Sequence, residues 1–110
     1  MNISASVNRN DGVATVVVSG EVDVASGPTV DEAIRAAIAA DGVERVLVDL
    51  SAVRFLDSSG IALLLKGRRL ADERGVAYRV VGAHRMVLRV LELSGVREHL
   101  CGDSNQPAQA

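Results

Sequence analysis

Segments rich in β-branched residues alternate with segments of helical periodicity, and this order limits the chain to few folds. Residues Asn2–Asn8 alternate polar and apolar side chains, which is typical of a strand with one covered face. A turn at Asn10–Gly12 and the β-branched segment Val13–Ser19 follow. These three segments predict an N-terminal β-hairpin.

Three helical patterns and two short strand patterns follow the hairpin. The helical patterns begin near Ser26 or Thr29, at Ser58 and near His84, and the strand patterns cover Val46–Leu50 and Tyr78–Val81. The first of these strands hardly alternates, so we expect a parallel strand that is covered on both faces. A loop from Ala52 to Asp57 is predicted between this strand and the second helix.

The order β, β, α, β, α, β, α predicts an α/β fold, in which the hairpin gives a mixed sheet its antiparallel edge and right-handed crossovers build its parallel part. The helices pack on the sheet, while the charged residues of the second helix, Arg68 among them, are expected in solvent. A short element at Val96–Leu100 ends the predicted single domain, residues 1–101. The tail, residues 102–110, lacks large apolar side chains and is expected to be flexible.

Composition argues against several classes of function. The aromatic residues are Phe55 and Tyr78, which are too few for a base-stacking surface. The net charge of −2 and the scattered arginines argue against binding to nucleic acid. Cys101 is the single cysteine, so paired-cysteine metal sites and internal disulfides are excluded. Apolar runs are too short to span a membrane, and we expect a cytoplasmic protein without a cofactor.

The segment "DSSG", Asp57–Gly60, places two hydroxyls at the start of a helical pattern, and three interpretations are open. In the first, Asp57 or Ser58 caps the helix by accepting a hydrogen bond from a free amide. In the second, Ser58 is the nucleophile of a hydrolase with His84 or His99 as its base, although the sequence has no GxSxG motif. In the third, Ser58 is displayed for modification by another protein.

The loops after parallel strands collect at one edge of a sheet, where ligands and partners commonly bind. Asp23 follows the second strand, Ser58 the third and Gly82–His84 the fourth, so we expect these three loops to meet. A phosphate on Ser58 would lie at a helix N-terminus, where free amides favour it, and would add about two negative charges beside Asp23 and Asp57. These two acids with Asp49 could form a metal site, but loop carboxylates that only accept hydrogen bonds are commoner, and no metal is predicted.

Three motifs together resemble the bacterial anti-sigma factor antagonists, which are single STAS domains. They are "SGEVD" at Ser19–Asp23, "LDSSG" at Leu56–Gly60 and "LELSGV" at Leu91–Val96, and the resemblance extends from the first strand to about Leu100. It implies a STAS-like mixed sheet, in which an N-terminal hairpin is followed by βα units. One departure is Ala62, where members of the family often have a second glycine.

The resemblance implies a regulatory binding protein and not an enzyme, so no catalytic residue is assigned. Unphosphorylated members bind an anti-sigma factor that is also a serine kinase, which frees the sigma factor, and phosphorylation ends this binding. The serine carried over is Ser58, and the residues expected to contact the partner are Asp23, Asp57, Ser59 and Gly60. A serine phosphatase of the metal-dependent type is expected to restore the hydroxyl. ATP and magnesium belong to the kinase.

Other STAS domains serve as subunits of transport or stress-sensing complexes. A subunit of that kind would use the same edge of the sheet as a binding module without being phosphorylated. This role is the alternative that the sequence leaves open.

Overall fold

A computed structural model describes residues 3–101 as a mixed four-stranded sheet with helices packed on it. The strands are β1 (Ile3–Asn10), β2 (Val13–Val22), β3 (Arg45–Leu56) and β4 (Ala77–Val81), and the helices are α1 (Gly27–Ala39), α2 (Ser58–Glu73), α3 (Arg85–Leu93) and α4 (Arg97–Cys101). The predicted α/β class and N-terminal hairpin are confirmed. The tail at 102–110, which was expected to be flexible, lies outside the described residues. Within residues 3–101, no helix has the length and apolar character needed to cross a membrane.

The strands lie side by side in the order in which they occur in the chain. β1 and β2 are antiparallel and are joined at Asp11 and Gly12, whereas β2, β3 and β4 are mutually parallel. α1 and α2 connect the parallel strands and pack against each other. Because right-handed crossovers between successive neighbouring strands place their helices on the same face, α1 and α2 cover one face of the sheet.

The covered face of the sheet carries the core. Val16 pairs with Val48 and Val48 with Val80, and all three side chains are buried. Leu47 and Asp49, which point to the other face, are only partly buried. The expectation that this strand is covered on both faces is therefore wrong: its lack of alternation reflects an apolar Leu47 on the less covered face.

β3 is longer than its sequence pattern suggests. It runs to Leu56, so most of the loop predicted from Ala52 to Asp57 is in fact strand. Two register shifts against β2 each add one residue to β3, as β-bulges do. The buried side chains at this end of β3 are Leu50, Val53 and Leu56, which are three residues apart. A pattern of alternating residues does not reveal such a strand.

Arg68 of α2 is buried and not in solvent as predicted. Its Nε donates hydrogen bonds of 3.2 Å to both oxygens of Asp72, and its Nη1 donates to the carbonyl of His99 at 2.5 Å. Arg79 of β4 donates in the same way to the carbonyl of Cys101 at 2.9 Å. These two arginines satisfy carbonyls that the end of α4 leaves free, so α4, the short last element, is fixed to α2 and β4.

α2 approaches α1 and β4 closely at Gly67. A Cβ there would lie 2.7 Å from the hydroxyl of Tyr78 and 2.9 Å from Cγ2 of Ile34. Tyr78 is buried and donates a hydrogen bond of 2.9 Å to the carbonyl of Leu64, and burial raises the pKa of its hydroxyl. The missing side chain of Gly67 therefore lets α2 close over a tyrosine that keeps its hydrogen bond.

We expect Gly67→Ala to lower the free energy of unfolding by about 1–3 kcal/mol, because the added methyl group overpacks a filled core. Urea denaturation followed by circular dichroism measures the change. Arg69→Ala, at an exposed position of the same helix, is the control and should alter stability by less than about 0.5 kcal/mol. Equal stabilities of the two variants would contradict the close packing at Gly67.

Candidate functional site

The ends of β2 and β3 bring two acidic loops together at one edge of the sheet. Val22 and Leu56 are paired in register, and the amide of Asp57 donates to the carbonyl of Val22 at 3.3 Å. Asp23 and Asp57 are the residues that directly follow the two strands. The structure thus places Asp23 and the segment Asp57–Gly60 at the same edge, as the sequence predicted.

Asp57 is the N-cap of α2. Its Oδ1 accepts hydrogen bonds from the amides of Ser59 at 3.0 Å and Gly60 at 3.2 Å, and from the hydroxyl of Ser59 at 2.5 Å. The pKa of Asp57 is lowered, mainly by the hydrogen bond from the hydroxyl of Ser59. Burial acts in the opposite direction, and the two amides lower the pKa further. Of the two residues proposed as the cap, Asp57 rather than Ser58 has this role.

Ser58 is the first residue of α2, and its side chain is exposed. Within the described part of the chain, its hydroxyl makes no hydrogen bond, whereas the partly buried Ser59 donates its own to Asp57. The free amides expected to receive a phosphate on Ser58 are therefore not all free. Those of Ser59 and Gly60 are already taken by Asp57, because this carboxylate caps the helix.

Asp23 organises the loop before α1. Its Oδ1 accepts a hydrogen bond from the amide of Ser26 at 2.9 Å, and Oγ of Ser26 accepts one from the amide of Asp23 at 3.0 Å. The hydroxyl of Ser26 is buried and donates to the carbonyl of Glu21 at 2.7 Å. This closed set of hydrogen bonds fixes the backbone at the point where β2 turns into α1.

Gly60 is buried beneath the start of α2. A Cβ at this position would lie 2.5 Å from Cδ1 of Leu56 and 3.1 Å from Cγ1 of Val22. The first turn of α2 can close onto the ends of β2 and β3 only because that carbon is missing. The structure thus gives Gly60 a packing role, and its contact with a partner stays a prediction.

A groove of about 370 Å³ opens between the start of α1 and the outer face of α2. Asp23, Val24 and Asp31 line one side of it, and Ser59, Ala62 and Lys66 line the other. Nζ of Lys66 lies 4.0 Å from the carboxylate of Asp31. Lys66 was not predicted as a site residue, although its spacing of seven residues from Ser59 places both on one face of a helix.

Gly82–His84 does not join the other two loops, so the predicted meeting of three loops is wrong for the third. β4 pairs with β3 only as far as Asp49, and β3 continues to Leu56, which is roughly 20 Å of extended chain. Nε2 of His84 lies 2.8 Å from the carbonyl of Ser51, far from the end of β3. The loop after β4 lies opposite the middle of β3 because β4 is short and ends there.

The distance between His84 and the end of β3 also bears on the hydrolase and metal-site interpretations. His84 is held at Ser51. His99 lies in α4, where its carbonyl accepts a hydrogen bond from Arg68, ten residues beyond Ser58 along α2. Neither histidine is therefore placed as the adjacent base that a nucleophilic Ser58 requires. Asp49 lies seven residues before the end of β3, where it accepts hydrogen bonds from the amide and the hydroxyl of Ser51, so it is apart from Asp23 and Asp57. Within residues 3–101, no three His, Cys, Asp or Glu side chains are grouped so as to hold a metal ion.

The structure is thus an α/β domain whose strands lie in chain order, with an exposed serine at the start of its second helix. The chain belongs to the STAS domain family, whose model matches residues 4–106. The anti-sigma-F factor antagonist RsfB of Mycobacterium tuberculosis is 30% identical over 95 residues, which are 86% of this chain and 76% of that relative. The anti-sigma F factor antagonist of Paenibacillus polymyxa is 29% identical over 96 residues, 87% of this chain and 82% of its own.

A solved structure shows the same fold. The anti-sigma factor antagonist from Mycobacterium paratuberculosis superposes with a TM-score of 0.76 at 32% identity, over 90% of this chain and 83% of that one. The family to which the three sequence motifs pointed is therefore confirmed, together with its mixed sheet and N-terminal hairpin.

We expect Asp57 to stabilise the fold through its charge only while it is ionised. Its pKa is lower in the folded chain than the ordinary 3.8, so this contribution is complete above that value and is lost as pH falls through the folded pKa. Asp57→Asn keeps a capping side chain without the charge. The difference in unfolding free energy between wild type and variant should be constant from about pH 5 to 7 and shrink below about pH 4. Urea denaturation measures it, and an undiminished difference at about pH 2.5 would contradict this role.

Proposed function

We propose that this protein is an anti-sigma factor antagonist controlled by phosphorylation of Ser58. Its unphosphorylated form binds an anti-sigma factor serine kinase and thereby releases the sigma factor. The kinase transfers the γ-phosphoryl group of ATP to Oγ of Ser58, which ends the binding, and a metal-dependent serine phosphatase restores the hydroxyl. The protein acts by binding and carries out no catalysis. Relatives of 29% and 30% identity that are named anti-sigma factor antagonists support this proposal.

The accessibility of Ser58 is the observation on which the proposal rests. A kinase must bring the hydroxyl of its substrate into its own active site, so this group has to be exposed and free of other hydrogen bonds. Ser58 is exposed at the start of α2. Ser59, by contrast, is partly buried and its Oγ lies 2.5 Å from Oδ1 of Asp57, so it is the poorer substrate of the two.

The charges around Ser58 suggest how a phosphate would end the binding. It would bring about two negative charges to a helix start whose amides already serve Asp57. The phosphate would therefore remain in contact with water, beside two carboxylates. A partner that packs closely on the bare hydroxyl would have to remove water from a dianion without offering it a counter-charge, which is costly.

The four predicted contact residues divide into two roles in this proposal. Asp23 and Ser59 line the groove and can be touched by a side chain of the partner. Asp57 and Gly60 act on the backbone, the first by capping α2 and the second by letting α2 close onto the sheet. The partner would thus meet a rigid surface that is already formed, and little ordering would oppose binding.

Incubation with the purified anti-sigma factor kinase of the host and ATP tests the modification. Intact-mass spectrometry and fragment sequencing should find one phosphate on the wild type and one on Ser59→Ala, and none on Ser58→Ala. Ser59→Ala is the matched control, because it removes the neighbouring hydroxyl. Phosphate on Ser59, or on Ser58→Ala, would show that the wrong serine has been assigned.

Calorimetric titration with the same kinase tests the switch. Ser58→Asp should bind at least about tenfold more weakly than Ser58→Asn. The two side chains have the same shape and differ in charge, and a charge that an interface buries without a counter-charge weakens binding. Circular dichroism shows whether both variants are folded. Equal affinities of the two variants would contradict an electrostatic switch. If the wild-type protein does not bind the kinase and instead binds subunits of a transport or stress-sensing complex, the alternative role is favoured.

A further inference from the structure

Most of the exposed large apolar side chains lie beyond or near the ends of the parallel strands. In the described part of the chain there are five: Val24 after β2, Phe55 near the end of β3, Met86 and Leu93 on α3 after β4, and Val7 on β1. Water covers 58% of Met86 and 76% of Leu93. Single exposed apolar side chains are ordinary, but apolar side chains that share one exposed surface mark interaction sites.

α3 lies against the strand that leads to Ser58. It begins after His84, whose ring lies 2.8 Å from the carbonyl of Ser51, and it packs against β3. β4 pairs with β3 only up to Asp49. α3 therefore occupies the side of β3 that β4 leaves unpaired, and Leu56 at the end of this part of β3 is followed directly by the cap of α2.

One face of α3 is buried and the opposite face combines apolar and basic residues. Val87 and Leu91 are buried in the core. Met86 and Leu93 are seven residues apart and so lie on one stripe of the helix, and Arg89 lies between them. We name Arg85, Met86, Arg89 and Leu93 the α3 patch; all four are exposed.

The arginines of the α3 patch form no ion pairs with the residues that the structure describes, and the exposed acid on this side of α3, Glu92, pairs with Arg97 instead. Neither Arg85 nor Arg89 forms a salt bridge with any residue in the range 3–101. Glu92 lies three residues after Arg89 on the same side of α3, and it lies 3.4 Å from Arg97, so the three arginines of this region outnumber its acid. An exposed surface with two unpaired arginines and two apolar side chains complements an acidic surface that carries apolar side chains of its own.

We propose that the α3 patch is a second contact surface for the anti-sigma factor kinase, separate from Ser58, and that it meets an acidic, apolar surface of that partner. This inference rests on the proposed function. Two other occupants fit less well. A second copy of the chain across a two-fold axis would set one basic patch against another, and two arginines would give only weak attraction to an anionic membrane.

The α3 patch is not altered by phosphorylation of Ser58. Substitutions in the patch should therefore weaken the binding of wild type and of Ser58→Asp by the same factor, as independent contacts do. One set of titrations can therefore measure separately how a charge at Ser58 and how substitutions in the α3 patch change the affinity for the kinase.

Titration calorimetry with the purified kinase tests the inference. Met86→Ser/Leu93→Ser should bind at least about tenfold more weakly than wild type, which is about 1.4 kcal/mol. Val7→Ser, an exposed apolar position on β1, is the control and should bind within about twofold. Arg89→Glu should also bind more weakly, with a loss that shrinks as salt is added. Its control, Arg9→Glu on β1, makes the same change in net charge and should leave the affinity unaltered.

The outcomes separate this inference from the proposed function. If both patch variants bind like their controls while Ser58→Asp still binds weakly, the α3 patch is not a contact and the inference is wrong. If the wild type does not bind the kinase, the proposed function fails and the inference falls with it. The inference would also be wrong if the patch variants bind the kinase like the wild type but lose a dimer that the wild type forms, or lose its binding to vesicles with anionic lipid. Should the double variant fail to fold, Arg89→Glu decides.

Discussion

The site depends on the close approach of the first turn of α2 to the ends of β2 and β3. The hydrogen bond from the amide of Asp57 to the carbonyl of Val22 joins the two strand ends, and the missing side chain of Gly60 lets the helix descend onto Val22 and Leu56. Successive residues of a helix are rotated by about 100°, so residues two apart lie on nearly opposite sides. Because Gly60 is buried, Ser58 has to be exposed, and Ser59 falls between them at the boundary.

Local sequence predicts the features that depend on local chemistry. The hairpin follows from alternation and a turn, and the start of α2 follows from an acid and two hydroxyls before an apolar helix, which is why both were found in the correct place. The sequence also placed Asp23 and Asp57 at one edge, because strands that run parallel and pair must end near each other. The choice of Asp57 over Ser58 as the cap could not be predicted, since both residue types cap helices equally well.

The features that the sequence did not predict are those set by tertiary structure. Two bulges lengthen β3 and change its period of burial, and bulges leave no clear local pattern. The early end of β4 then moves His84 away from Ser58. Arg68 looks like a solvent-exposed residue of α2, but the carbonyl of His99, thirty-one residues later, gives its guanidinium a buried partner. Contacts between residues so far apart in the chain are not visible in a helical pattern.

The hydrogen bonds of the two acids make it clear why a phosphate would act on the surface and not on the fold. Asp23 is held by Ser26, and Asp57 by Ser59 and Gly60, so neither carboxylate is free to move toward a new group. A phosphate on Ser58 could take the amides of the first turn only by displacing Asp57, which would exchange one capping anion for another beside it. Leaving the cap in place and exposing the phosphate to water avoids that repulsion. The fold then stays the same in both forms, and only a partner that approaches Ser58 closely can distinguish them.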